Sequence, residues 1–312
     1  MVKSNDSFVE ALIRAGEIGG EEVLPQVKEI VETVRQRGDE ALYAYTERFD
    51  GADLRIKGLK VAPEEIEAAY RQVTPGFLAA LGQAKENILR FHRRQLQNSW
   101  WQLDEVGNLV GQLYRPLRRV GLYVPGGRAA YPSSVLMTAL PGIVAGVPEL
   151  VMVSPPSGTG EMNPYTLVAA KEAGVGEIYK LGGAQAVAAL TYGTETIAPV
   201  DKIVGPGNIY VTMAKKICYG DVDIDMLAGP SEILIVADDT ANPVYLAADL
   251  LSQAEHDPLA RAVLITPERE VAEKTAEEVK KQLGFLPREE IARESLQNRG
   301  AAIITADLEE AF

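Results

Sequence analysis

Apolar residues recur at helical spacing through the first part of the chain and then give way to short continuous runs. Leu24, Val27, Ile30, Val31 and Val34, followed by Leu42 and Tyr45, form one apolar stripe, and Gly38-Asp39 interrupts it. Residues 6–49 therefore predict helices with a break. Pro63-Glu64-Glu65 opens another helix, with proline and acids in its first turn, and Pro75 opens one carrying Phe77, Leu78, Leu81, Ile88 and Leu89. That helix ends in the basic cluster Arg90-Phe-His-Arg-Arg94. We read this as a solvated face or a partner for the helix dipole, and His92 as having no chemical role.

Between residues 99 and 115 the pattern alternates around Gly107-Asn108, which predicts a β-hairpin. Residues 118–124 then form a strand that stops at Pro125-Gly126-Gly127. From there short apolar runs at 150–154, 177–180, 202–204, 233–237 and 262–266 alternate with helix-length segments. This is the βαβ rhythm of a parallel sheet with helices on both faces, so the class is α/β. Glycine and proline cluster where those strands end, which is where open α/β sheets bind ligands.

Composition narrows the picture. The 312 residues are 46% hydrophobic with a net charge of −13 and a pI near 4.8, which disfavours nucleic acid and anionic membranes as partners. The single cysteine, Cys218, excludes an intrachain disulfide and fits a reducing compartment. The N-terminus is polar and no run approaches the roughly 20 apolar residues that span a bilayer. A cytoplasmic location is expected.

Four loops after strands carry polar groups. Gly121-Leu-Tyr-Val-Pro-Gly-Gly127 presents Tyr123, and Leu181-Gly-Gly-Ala-Gln-Ala186 leads into a helix with Gln185 in its first turn. Val204-Gly-Pro-Gly-Asn208 allows close backbone approach at a helix start, where free N–H groups suit a phosphate or an amide. The loop at 221–232 offers Asp223, Asp225, Ser231 and Glu232, either as ligand contacts or as a solvated strand edge. No nucleophile elbow surrounds Ser231 and the chain has two histidines, which argues against a serine-hydrolase triad. Cys218 reads as a small core residue. Finally, Gln253 and His256 stand three residues apart on what reads as the last turn of a helix. They form either a helix end or two ligands of a borderline metal ion such as zinc.

The motifs Gly121-Leu-Tyr-Val-Pro-Gly-Gly127, Gly182-Gly-Ala-Gln-Ala-Val-Ala-Ala-Leu190, Val204-Gly-Pro-Gly-Asn208, Ala228-Gly-Pro-Ser-Glu232 and Leu251-Ser-Gln-Ala-Glu-His-Asp257, in this order, resemble those of histidinol dehydrogenases. The resemblance runs through essentially the whole chain. It implies an enzyme dependent on NAD and zinc that oxidises L-histidinol through L-histidinal to L-histidine, using two NAD, as the last step of histidine biosynthesis. It also implies a homodimer whose subunits hold two incomplete Rossmann-like domains. By position, Tyr123, Gln185 and Asn208 match NAD contacts, Ser231 a substrate contact, and Gln253 and His256 two zinc ligands that also touch substrate.

The family's adjacent Glu-His pair, which supplies the base, and its remaining zinc ligands would fall beyond Phe312, the last of them from the partner subunit. No catalytic residue is therefore assigned within the chain. We expect a C-terminally truncated member with a half-built metal site, weak zinc binding and little turnover. The expected organisation is an N-terminal helical arm at 1–19, a first α/β domain from 20–120 and 233–312, and a second at 121–232. Two other classes stay open: a non-catalytic nucleotide- or ligand-binding protein on the same scaffold, and an aldehyde dehydrogenase acting through Cys218.

Overall fold

The computed structural model describes residues 2–3, 20–126, 130–229 and 231–312. They gather into two compact units, one within residues 20–227 and one of Val2–Lys3 with the described residues of 228–312. Strand β1 (Val2–Lys3) belongs to the latter.

The unit of residues 20–227 begins with α1 (Leu24–Arg37) and α2 (Asp39–Asp50). The apolar stripe is their buried face, with Val27, Ile30, Val31, Val34 and Leu42 all inside. Gly38 makes the predicted break at φ +53. A Cβ there would lie 2.2 Å from the Glu195 carboxylate, which accepts the Asp39 N–H at 2.7 Å. Helices α3 (Pro63–Tyr70) and α4 (Pro75–Arg93) follow, the second capped by the Thr74 hydroxyl, which accepts the Phe77 N–H. Strands β2 (Trp100–Leu103) and β3 (Leu109–Gln112) form the antiparallel hairpin. All eight of their residues are exposed.

The remaining elements of this unit alternate: β4 (Arg119–Tyr123), α5 (Pro132–Val144), β5 (Glu149–Ser154), α6 (Pro164–Glu172), β6 (Glu177–Lys180), α7 (Gly183–Tyr192), β7 (Lys202–Val204), α8 (Ile209–Cys218) and β8 (Asp223–Ile224). The five strands of this alternation pair in parallel in the order β6-β5-β4-β7-β8. The chain runs outward from β4 to β6 and then returns to the other side of β4. The strand order therefore reverses between β4 and β7, the place where doubly wound sheets open a crevice at their carboxyl ends.

The domain division differs from the sequence expectation: residues 20–120 lie with 121–227, not with 233–312. Val61, Ala69, Leu81 and Leu89 share one core with Val120, Leu122, Leu136 and Met152. The segment before α3 also hydrogen-bonds along β6, with the Val61 N–H to the Ile178 carbonyl and the Lys180 N–H to the Leu59 carbonyl. Apolar periodicity shows that a helix has a face to bury. It does not say which sheet buries it.

At the opposite end of the sheet, Arg119 ties β4 to β5 and β6 through Glu149 at 2.7 Å and Glu177 at 3.1 Å. Desolvation pushes the Glu177 carboxyl up, but hydrogen bonds from Arg119 and Tyr179 outweigh it and hold the group at about 2.

The other unit holds β9 (Glu232–Val236), α9 (Pro243–Ala254), β10 (Arg261–Thr266), α10 (Arg269–Leu283), α11 (Glu289–Arg299), β11 (Ala301–Ile304) and α12 (Leu308–Ala311). Its strands pair in parallel in the order β1-β11-β10-β9. Leu250, Leu251, Leu264, Ala272 and Leu283 form its core. The helical arm predicted for residues 1–19 is corrected at Val2–Lys3, which pairs as an edge strand with Ile303 and Ile304. From residue 4 to residue 19 that prediction lies outside the described residues, as do Gly127 and Pro230 of the predicted loops.

Candidate functional site

Tyr123 is the last residue of β4 and only 4% exposed. Its hydroxyl accepts the Gly183 N–H at 3.0 Å, one of the donors left open at the start of α7. Burial pushes this phenol up to about 12, so the group keeps its proton and can donate it. Gly183 is at φ +64, and a Cβ there would sit 2.6 Å from Gln185 Oε1. Glycine at this position lets the Gln185 amide fold back over the turn. Gln185 is 1% exposed, and its Oε1 is buried without a hydrogen-bond partner among the described residues.

The loop after β7 closes on the same point. Gly205 is at φ +117, and a Cβ would meet the Tyr123 carbonyl oxygen at 2.1 Å, so backbone lies directly on backbone. Asp225 holds the loop in place: its Oδ2 accepts the Gly205 N–H at 2.8 Å and its Oδ1 accepts from Lys215 Nζ at 2.7 Å. Lys215 also donates to the Gly205 carbonyl at 2.6 Å. Asn208 is the N-cap of α8, its Oδ1 accepting the Val211 N–H at 3.2 Å. The alternating acids thus have separate tasks, since Asp223 pairs with Lys202 at 2.7 Å on the exposed edge. The role of Lys215 was hidden in the sequence, where it is one of two adjacent lysines on an otherwise apolar helix.

Tyr123, Gln185 and Asn208 are brought together on one cavity of about 420 Å³, with Gly126 and Pro155 on its wall. That size suits a small organic ligand. A second pocket of about 220 Å³, with Ser157 and Asn163, shares Gly126 and Pro155, so the cleft continues beyond the first cavity. Asp50 also lines the first cavity, and sequence reading did not single it out. The one available signal was an acid at a helix C-terminus immediately before Gly51, where the dipole disfavours it.

Ser231, Gln253 and His256 lie in the unit that contains residues 228–312. Ser231 is exposed at the start of β9, and its carbonyl accepts the Arg261 N–H at 3.3 Å. Helix α9 ends at Ala254, so His256 stands two residues beyond it rather than within its last turn. The stop is local: the His256 N–H turns back to the Gln253 carbonyl at 3.1 Å, and Asp257-Pro258 follows. Gln253 Nε2 is buried with no partner, while His256 is exposed. Of this pair a borderline metal ion could take the accessible imidazole of His256 and the Oε1 of Gln253, whereas the Nε2 without a partner is a hydrogen-bond donor and ligates no cation. Among the described residues no group of three or more His, Cys, Asp or Glu converges on a common point.

Two groups read as having no chemical role sit accordingly. Cys218 is fully buried and burial pushes its thiol up, the reverse of what a thiolate nucleophile needs. His92 Nδ1 lies 2.6 Å from Gln95 Oε1 at an exposed helix end.

The sequence profile of the histidinol dehydrogenase family matches residues 14–312. The histidinol dehydrogenase of Moorella thermoacetica is 59% identical over 292 residues, covering 94% of this chain and 69% of that protein. That of Halalkalibacterium halodurans is 53% identical over 311 residues, covering 100% of this chain and 72% of the relative. Among solved structures, the histidinol dehydrogenase of Elizabethkingia anophelis superposes with a TM-score of 0.91 at 38% identity. The match covers 100% of this chain and 71% of that one. No described helix is long and apolar enough to cross a membrane.

Proposed function

The chain belongs to the histidinol dehydrogenase family, and from that premise we propose that its residues serve the NAD-dependent oxidation of L-histidinol through L-histidinal to L-histidine. The observation that carries this reading is the cavity where the strand order reverses. A buried acceptor on Gln185, a proton-bearing Tyr123 hydroxyl and the start of α8 at Asn208 share it. The nicotinamide dinucleotide would lie across it and into the adjoining pocket, held by these three side chains, with the cavity walls keeping water from the hydride path. Ser231 would contact the substrate.

Gln253, through its Oε1, and His256 would be two ligands of a zinc ion, and the accessible imidazole of His256 supports that assignment. Zinc, when bound, would fix the substrate's amine and imidazole so that the reacting carbon is presented in one orientation. The protein would work as a homodimer in the cytoplasm. The exposed apolar residues of the β2–β3 hairpin, Trp100, Trp101, Leu103, Leu109 and Val110, are a surface of the kind subunits bury.

The test follows NADH absorbance with L-histidinol, NAD and zinc. The enzyme would be this chain extended by the remaining part of the Moorella thermoacetica relative, with Gln185→Ala alongside. Histidinol-dependent NADH that falls in Gln185→Ala is expected. NAD binding with no histidinol-dependent NADH would favour a non-catalytic nucleotide-binding protein. The 312-residue chain alone is expected to turn over little, because only two metal ligands and no base are assigned within it. Turnover equal to that of the intact relative would place the base within these 312 residues.

A further inference from the structure

Asp50 lines the cavity beside Tyr123 and has no part in the cofactor contacts proposed above. Asp50 is the last residue of α2, and Gly51, at φ +69, ends the helix directly after it. A carboxylate there faces the negative end of the helix dipole. Its Oδ2 is buried and has no hydrogen-bond partner among the described residues. Burial pushes the carboxyl up to about 6. Among the described residues no cation pairs with it, and there a neutral residue of the same size would fold more easily. A destabilising group retained on a cavity wall marks a ligand site.

The hydrogen-bonding inventory says what kind of ligand. Gln185 Oε1 and Asp50 Oδ2 are both acceptors without donors, while the Tyr123 hydroxyl has accepted from Gly183 and has one proton to give. The ligand must bring donors to this side. A phosphate brings none and is repelled by a carboxylate. An amide or amino group brings N–H donors suited to the Gln185 carbonyl. A ribose brings two adjacent hydroxyls, the one part of a dinucleotide that matches the two oxygens of a carboxylate, and acids serve riboses in this way at doubly wound sheets.

We propose that the Asp50 carboxylate accepts the vicinal hydroxyls of one ribose of the bound dinucleotide and so fixes its position in the cavity. The proposal rests on the reading that NAD occupies this cavity, and it adds a positioning residue to that reading. Asp50 holds the sugar, Gln185 faces an N–H donor, and Tyr123 donates its proton.

Calorimetric titration of the 312-residue chain with NAD, AMP and nicotinamide mononucleotide tests it. Asp50→Asn is expected to weaken NAD by about tenfold, the scale of a lost hydrogen bond to a charged group. It should weaken one of the two mononucleotides by a similar factor and leave the other unchanged, which identifies the ribose. The melting temperature without ligand should stay level or rise. Asp50→Ser, which adds no bulk, repeats the test if Asp50→Asn perturbs the fold.

Unchanged NAD affinity in the Asp50 variants, with a loss in Gln185→Ala, would overturn the assignment and leave the cofactor reading standing. No NAD binding by the wild-type chain, or binding indifferent to Gln185→Ala, would overturn both. Equal losses for both mononucleotides together with a lowered melting temperature would mean that Asp50 acts only on the fold.

Discussion

The Gly183 N–H and the Tyr123 hydroxyl, 3.0 Å apart, join the end of β4 to the start of α7 inside the candidate cofactor cavity. Tyr123→Phe would leave that buried N–H without an acceptor. An unsatisfied buried donor costs about 1–3 kcal/mol. Urea unfolding should show a loss in that range, and calorimetry should show weaker NAD binding in the same variant. Full stability in Tyr123→Phe would mean that water replaces the hydroxyl.

Lys215 and Asp225 act as one fastener under the loop at 204–208. The lysine side chain is 4% exposed and the carboxylate 30%. Removing one member strands the other, so Lys215→Met should destabilise the unit by about 3 kcal/mol. Replacing both should not restore stability, because the Gly205 N–H and carbonyl lose their partners as well. Chemical denaturation of the two single variants and the double variant measures this. Recovery in the double variant would contradict it.

Stability against pH should carry two opposite signatures. Glu177 is held below its ordinary value of 4.5, at about 2, so its contribution is present above pH 4.5 and is lost as pH falls through about 2. Asp50 is raised from 3.8 to about 6, so the folded state binds the extra proton between those values. Stability should therefore fall as pH rises from about 4 to 6. Scanning calorimetry of wild type against Asp50→Asn isolates the second effect, which should vanish in the variant. An identical slope in both proteins would assign the fall to other groups.

With Gln253 and His256 proposed as zinc ligands, zinc uptake by the 312-residue chain should be weak, two ligands being too few for a four-coordinate ion, and weaker still in His256→Ala. Equilibrium dialysis with metal analysis reads both. Tight stoichiometric zinc unaffected by His256→Ala would place the metal elsewhere.

Local chemistry made most of the elements legible. Gly107-Asn108 specified the hairpin, proline opened α3 and α4, and the apolar runs became the parallel strands. The loops holding Tyr123, Gln185 and Asn208 were legible too, because glycine after a strand has a backbone reason. Tertiary consequences were not. The stripe that includes Val31 and Val34 looks the same whichever elements cover it, and it is α7 and α8 that do, which ties residues 20–120 to 121–227. His256 fell outside α9 because a helix end is set by which turn closes first. Asp50 looked like any acid on an amphipathic helix until its surroundings gave it a cavity and no partner.

The hairpin has a spectroscopic consequence. Both tryptophans of the chain, Trp100 and Trp101, lie side by side on it and are 49% and 59% exposed. Their emission should lie at long wavelength in the isolated chain, shift to the blue when two copies meet there, and stay still when NAD enters the cavity. The two tryptophans would thus report the proposed dimer contact, and the proposed cofactor would have to be followed by other means.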